Sequence, residues 1–418
     1  GLAPMYAQQL SLSQLELGLL FSAFGLMALV ICPFIGLLTP GLHFKAAFIF
    51  GGVLCALSAV ITLMASTFTH LVVARLIHGF GATVVWLSGP GVISDLFGVE
   101  SRTKAMGVVY IFVTAAFLFG AVLGANSYDW TGSATPILLA VTVMNAFTTL
   151  TVFTSLPDPE EFHEEQPRSL SSARHTGMHI LQATEDPEFW DKGVQEYREL
   201  LSHQSVRLQL GTILLYSVAN ITVQAFIPTW VKNYLHTSVS GAADLYAIMA
   251  ITKVASQPAI GRLTEAVGPN FVSGVGMILH GIILPILPWA DRISWIVPTY
   301  AALGIAMTAT ILPTFISLSF HVDQYPDHAH DGPRRYALAN ALWLSSFMIG
   351  AVPTPAIVGS FLDNIRYGDF WSVQASHFAV LTTMGLAMAV FHGPLFIYWT
   401  RADDKAILEK AKGFQRVE

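Results

Sequence analysis

Four side chains that can carry or exchange charge stand inside otherwise apolar stretches. They are Arg75 and His78 in Arg75-Leu-Ile-His78-Gly79-Phe-Gly81-Ala82, Lys253 in Ile251-Thr-Lys253-Val254, and His280. Charge is expensive where water is scarce, so such residues face a polar interior, pair, or mark a path for ions or substrate. Lys253 is too deep in its stretch for its stem to reach an interface comfortably. That leaves three roles for it: binding an anion, titrating, or pairing with a carbonyl or carboxylate. Arg75 suits either a switchable network or a brace between helices. His280 reads as a satisfied core histidine. Asp95 and Asp363 fall at the ends of apolar stretches, and no Asp or Glu falls in the middle of one. His321, His328 and His330 lie in a polar loop without rigid spacing, so neither a metal site nor a cofactor is expected. No H-E-x-x-H, G-x-S-x-G or phosphate-cradling glycine loop is present, which argues against an enzyme.

The elements that hold these residues are set by composition. Of 418 residues, 53% are hydrophobic and 11% are charged, whereas soluble domains carry about 25% charge. Apolar stretches of about 20 residues, the length a bilayer requires of a helix, recur along the chain. They predict spans at 16–38, 45–66, 70–93, 105–126 and 134–155, then at 206–230, 241–262, 271–290, 295–319, 336–361 and 376–400. The chain is therefore read as an all-α, multi-pass membrane protein with a five-span bundle (1–155), a central loop (156–204), a six-span bundle (205–400) and a tail (401–418). Within the loop, Asp186-Pro187-Glu188 opens an amphipathic helix whose Phe189, Trp190, Val194, Tyr197 and Leu201 share a face. Cys32 and Cys55 fall in apolar stretches and are expected to be buried thiols. Asn220-Ile-Thr222 lies within a span, so it is not expected to be glycosylated.

Basic residues fall unevenly on the two sides. Sixteen lie in alternate loops and the tail: Lys45, Arg102, Lys104, Arg168, Arg174, Lys192, Arg198, Arg207, Arg262, Arg334, Arg335, Arg401, Lys405, Lys410, Lys412 and Arg416. Three, Lys232, Arg292 and Arg366, lie on the other side. The excess predicts a cytoplasmic tail. Gly36-Leu-Leu-Thr39 after the first span echoes Gly261-Arg-Leu-Thr264 after the second span of the later half, as two homologous halves would.

The Arg75–Ala82 block, with Val99-Glu100-Ser-Arg102-Thr-Lys104-Ala-Met-Gly107 after it, resembles the fourth-helix arginine motif and following loop of the major facilitator superfamily. Gly261, Leu263, Thr264, Glu265 and Gly268 resemble its G-x-L-A-D-R-x-G loop. Pro4-Met-Tyr6, Leu10-Ser-Leu-Ser-Gln14 and Leu20-Phe-Ser22-Ala-Phe-Gly25 resemble the stretch after the first helix of the drug–proton antiporter branch, which includes vesicular amine carriers and fungal multidrug exporters. Pro228 and Tyr336-Ala-Leu-Ala-Asn340 are also similar to that branch. The resemblance covers essentially the whole chain and places one expected helix of twelve upstream of Gly1.

What the resemblance implies is a carrier of two pseudo-twofold-related bundles, moving a small amphipathic drug, amine or metabolite by alternating access, with proton-coupled efflux. Transport or coupling roles fall to Arg75, His78, Lys253 and Asn340, and gating to Glu100, Arg102 and Glu265. Trp86, Tyr216, Gln224, Phe226 and Trp343 are expected in a cavity, and Gly79, Gly81, Gly120 and Gly124 at close helix contacts. Expected partners are a small-molecule substrate, protons and the lipid of a plasma or organelle membrane, with no nucleic acid, and the protein is expected to be a monomer. Departures stand beside these. Pro40 and Gly41 replace the first-half loop's Asp and Arg, and Ala121 replaces a proline. Asn340 stands where amine carriers have an aspartate, and it cannot ionise. A non-transporting sensor or scaffold, and a uniporter or anion carrier using Lys253, are the alternative readings.

Overall fold

A chain in hydrocarbon must satisfy its own backbone, which leaves the helix as the element an apolar run of this length forms. The computed structural model of the chain describes residues 10, 12–38, 44–96, 135–155, 187–234, 239–289, 293–322, 328–364 and 379–415, with scattered positions between 108 and 133. Among these residues nearly all backbone is helical and no strand occurs.

The first-half helices are α1 (Gln14–Leu38), α2 (Phe44–Leu63), α3 (Phe68–Leu96) and α4 (Thr135–Ser155). Then come α5 (Pro187–Ser202), α6 (Gln204–Tyr234), α7 (Val239–Val267), α8 (Pro269–Ile283), α9 (Ile293–Val322), α10 (His328–Ala351), α11 (Pro353–Asn364) and α12 (Gly393–Gln415). A 3₁₀ turn, Leu284–Trp289, extends α8, and a π-helical turn, Ala387–His392, leads into α12. Among the described residues nine helices are long and apolar enough to cross a membrane. Helix α7 covers its expected span but carries Asp244, Lys253, Arg262 and Glu265 and is not one of the nine. The span expected at 105–126 lies largely outside the described residues.

Local signals explain several boundaries. Ser13 caps α1: its hydroxyl accepts the Glu16 amide at 3.1 Å, and the Glu16 carboxylate accepts the Ser13 amide at 2.8 Å. Within spans, hydroxyls return to the carbonyl one turn back, as Ser22 to Gly18, Thr83 to Gly79 and Ser88 to Val84. That satisfies them without water. Helix α4 buries only Leu138 and presents Val143, Met144, Phe147, Leu150 and Phe153 outward, a face suited to lipid. Cys32 and Cys55 are buried free thiols.

Two apolar cores result. One joins the halves through Ala28, Cys32, Leu200, Ile213, Leu318 and Leu338; the other fills the second half around Tyr216, Met249, Met277, Leu303, Met307 and Met388. Helix α5 forms where its Pro187 start predicts, but its docked face is rotated from the expected one. Trp190, Gly193, Tyr197 and Leu200 turn inward, and Val194 and Leu201 are exposed. Glu196 is buried on the same face.

At the end of the bundle that carries α5 and the tail, called here the basic end, one residue of α12 fixes the start of α8. Asp404, 6% exposed, accepts the amides of Asn270 at 2.9 Å and Phe271 at 2.8 Å. A carboxylate there satisfies two orphan donors and meets the positive end of the helix dipole. Gly268, at φ 102°, makes the turn and lies against that carboxylate, where a Cβ would come within 2.5 Å of Asp404 Cγ. Asp404→Ala should therefore cost about 2 kcal/mol. Gly268→Ala should cost at least as much, through backbone strain and the clash. Both should lower the thermal unfolding midpoint of the detergent-solubilised protein, while Lys405→Ala, one residue along, should not.

Candidate functional site

In the first half, α3 supplies the charged block. Arg75 Cζ stands 5.6 Å over the Phe21 ring of α1, a cation–π contact. One turn on, His78 Nδ1 and the Ser58 hydroxyl of α2 share a hydrogen bond at 3.1 Å, and the Phe24 ring lies 5.4 Å from the imidazole. Gly79 lets α3 meet the Phe24 carbonyl of α1, and Gly81 lets it meet the Gly51 carbonyl of α2. The glycines of this motif thus hold Arg75 and His78 among three helices at once. Gly120 and Gly124 differ: among the described residues nothing lies within 4 Å of a Cβ at either.

Between the halves runs a seam that sequence reading missed. Gly18, Gly25 and Cys32 recur every seven residues on α1, with Gly36 one turn further. Gly18 abuts the Pro355 carbonyl of α11, and Gly25 faces Val352 and Met348. Cys32 Sγ donates to the Ala341 carbonyl of α10 at 3.2 Å, and a Cβ at Gly36 would lie 2.5 Å from that of Ala341. The seven-residue recurrence of small residues inside an apolar span was the available signal, since that period keeps one face of a helix on its neighbour. Helix α5 closes the basic end of the seam: Tyr197 donates to the Pro33 carbonyl at 3.0 Å, and Trp190 meets Phe34 edge-on at 6.4 Å.

In the second half an aromatic chain crosses the core. Phe315 and Trp343 stack at 4.3 Å, and Trp343 donates to the Thr314 hydroxyl at 3.1 Å. Phe347 follows at 5.9 Å, Tyr216 at 6.4 Å and His280 at 6.0 Å. Two of the expected cavity residues, Tyr216 and Trp343, are thereby joined through Phe347. Trp86 is half-buried against the inter-half core, and Gln224 is exposed. The side chain of Phe226, and both Glu100 and Arg102, lie outside the described residues. Glu265 is exposed, and Asn340 is half-buried on α10. His280 departs from its expectation: it is fully buried, but neither ring nitrogen has a hydrogen-bond partner. The Lys253 ammonium lies within electrostatic range of it.

His321 is likewise not in a loop. It sits in the last turn of α9, 3% exposed, with Asp403 at 3.7 Å and the His203 ring at 5.9 Å, while Ser205 donates to Asp403. Nearby, Gln209, Asn270 and Ser317 bond one another, fully buried, and tie α6, α8 and α9 together. Burial, reinforced by His203, holds the His321 imidazole below its usual pKa against the opposing pull of Asp403. Among the described residues no cluster of three metal-ligating side chains occurs.

Comparison with known proteins gives these arrangements a context. The family model described as Major Facilitator Superfamily matches residues 1–330. The chain is 22% identical to the chromaffin granule amine transporter of Homo sapiens over 344 residues, 82% of this chain and 60% of that protein. It is 20% identical to the synaptic vesicular amine transporter of Rattus norvegicus over 336 residues, 80% of this chain and 60% of that one. The match thus spans about three-fifths of the length of these relatives. Over 121 residues, 29% of this chain and 31% of the other, it is 30% identical to the quinolone resistance protein NorA of Staphylococcus aureus. Among solved structures, that of the human organic anion transporter MFSD10 (TETRAN) superposes with a TM-score of 0.62 at 15% identity, covering 88% of this chain and 84% of that one. The shared fold is a multi-pass helical one.

Two outcomes follow from the geometry. A Cβ at Gly18 meets backbone, whereas at Gly25 it meets the Val352 methyl at 3.1 Å, which can give way. Gly18→Ala should therefore cost about 1–3 kcal/mol more stability than Gly25→Ala, read as a lower unfolding midpoint. For His321 the sign is that of a histidine favoured neutral in the fold. Its contribution is complete above the unfolded pKa of about 6.5 and is lost as pH falls below it. Thermal unfolding between pH 7.5 and 5.5 should show an acid-side loss that His321→Gln reduces.

Proposed function

Because the chain belongs to the Major Facilitator Superfamily, we propose that it is a secondary active carrier of a small amphipathic organic compound, working by alternating access. The observation that carries this reading is the seam along α1. Gly18, Gly25, Cys32 and Gly36 join the halves through small residues and backbone contacts, and a surface built so can part at one end while holding at the other. Without a hydrophobic drive between helices in lipid, such close packing is a main source of cohesion.

Within this reading Arg75 belongs to a network that α1 and α3 make and break. Its cation–π contact with Phe21 joins those two helices. Glu100, Arg102 and Glu265 gate the basic end, which faces the cytoplasm by the distribution of basic residues. Helix α5 is a brace there, through Tyr197 and Trp190. The amine transporters and the quinolone resistance protein among the relatives, together with the organic anion transporter among solved structures, support a small organic cargo and leave its charge open. Proton exchange is the proposed coupling, and the working unit is a monomer.

The test is uptake into liposomes containing the full-length protein under an imposed pH gradient, with a panel of charged aromatic dyes. Gradient-driven flux is expected, with collapse of the gradient lowering it at least tenfold and Arg75→Ala abolishing it while leaving insertion intact. Flux indifferent to the gradient would make the protein a facilitator. Retained flux in Arg75→Ala would remove that residue from the mechanism, and no flux of any dye would favour the sensor or scaffold reading.

A further inference from the structure

The middle of the second half holds a layer of donors with nothing to donate to. Its position follows from the register of α6 against α7. The Tyr246 hydroxyl of α7 donates to the Gln224 carbonyl of α6 at 2.7 Å. Seven residues further along α7 stands Lys253, and eight residues back along antiparallel α6 stands Tyr216. At about 1.5 Å per residue both displacements are close to 11 Å, so the two residues share one level. Helix α9 reaches that level too, where the Thr308 hydroxyl donates to the Lys253 carbonyl at 3.3 Å. Gly304, one turn away, lets α9 lie directly on the Met249 carbonyl of α7. From α8 comes His280, its ring 6.0 Å from that of Tyr216 and edge-on to it.

Two of these groups, the His280 ring and the Lys253 ammonium, are unengaged. His280 is fully buried and neither nitrogen is bonded. Among the described residues the Lys253 ammonium meets no carboxylate and makes no hydrogen bond, and the residue is half-buried. The other charged residues described on α7 (Asp244, Arg262 and Glu265) lie two turns or more from Lys253. A cation and a ring N–H left unsatisfied in the same part of the bundle call for an acceptor bearing negative charge. A neutral or cationic group would leave the ammonium uncompensated at a depth where that is costly.

We infer that Lys253, His280 and Tyr216 form an anion site within the second half, taking the carboxylate or sulfonate of a small aromatic substrate. Lys253 supplies the charge from its accessible side, and the imidazole behind it donates a directional bond. The Tyr216–Phe347–Trp343 chain offers ring faces to the apolar part of the same molecule. This rests on the carrier reading and names its substrate class. Nothing covalent is involved.

The test uses full-length protein in liposomes and two permanently charged probes on one ring system, 2-naphthalenesulfonate and its trimethylammonium counterpart. The wild type should move the sulfonate in preference to the ammonium. Lys253→Gln should cut the sulfonate rate by at least about tenfold, Lys253→Arg should restore part of it, and His280→Gln should raise KM with little change in maximal rate. If Lys253→Gln fails to insert, Lys253→Met, which keeps the apolar stem, decides in its place. A wild type that moves the ammonium and not the sulfonate overturns the anion site and leaves the carrier reading standing. One that moves neither overturns both. Unchanged sulfonate flux in the charge-removing variant overturns the assignment of Lys253 and with it the site.

Discussion

The approach of α1 to α10 and α11 is the contact on which the rest of the molecule depends. At Gly18 the absence of a side chain brings the α1 backbone onto the Pro355 carbonyl, and at Gly36 onto Ala341. Lipid tails solvate leucine as well as another helix does, so halves of a membrane protein adhere by close dispersion contact and by polar bonds unavailable from lipid. Both operate here: glycine allows the distance, and the Cys32 thiol finds a carbonyl across the seam. Helix α1 also carries Phe21 and Phe24, which hold Arg75 and His78 of α3. The helix that forms the seam is thus also the one that contacts the charged block.

Polar side chains elsewhere obey one rule, that a hydroxyl or amide in an apolar medium must bond within reach. Serines and threonines of the spans turn back on their own helices, and Gln209, Asn270 and Ser317 bond one another. Asp404 is the strongest instance, since an acid from the last helix completes a helix start that its own segment leaves open. Single atoms are left over in that pattern, among them Gln209 Oε1, Asn220 Oδ1 and Asn270 Nδ2, and His280 goes further in that neither of its ring nitrogens is bonded. A buried ring with no bond at either nitrogen fits a missing acceptor.

The bundle itself was legible in the sequence because length and apolarity are what a bilayer selects. Spans such as 271–290 and 295–319 coincide closely with α8, its 3₁₀ extension and α9. The amphipathic helix was legible in position but not in phase. A polar helix with five apolar residues fixes a stripe, and only the partner surface decides that Gly193 and Leu200 turn inward rather than Val194 and Leu201. Asp404 carried no signal at all. It stands among Arg401, Asp403 and Lys405 in what reads as a solvated tail, and its function exists only when Gly268 arrives beside it. His321 read as a loop residue because the helix holding it runs past the apolar stretch that predicts the span.

The two halves treat their intramembrane cations differently, and the difference bears on what each is for. Arg75 lies over a phenyl face, beside a histidine that is itself bonded to Ser58. Its charge is spread over a planar group and partly answered by aromatic electrons, as suits a residue that holds helices together. Lys253 concentrates its charge at one nitrogen, with no described anion near it and an unbonded imidazole behind. A compact ammonium in that state is poorly stabilised by the fold around it, since neutral dipoles can orient toward a charge but cannot cancel its field. A stretch of core arranged only for stability would replace it with methionine or leucine at little loss of volume. Its presence is intelligible when the field it leaves uncancelled is the feature being kept.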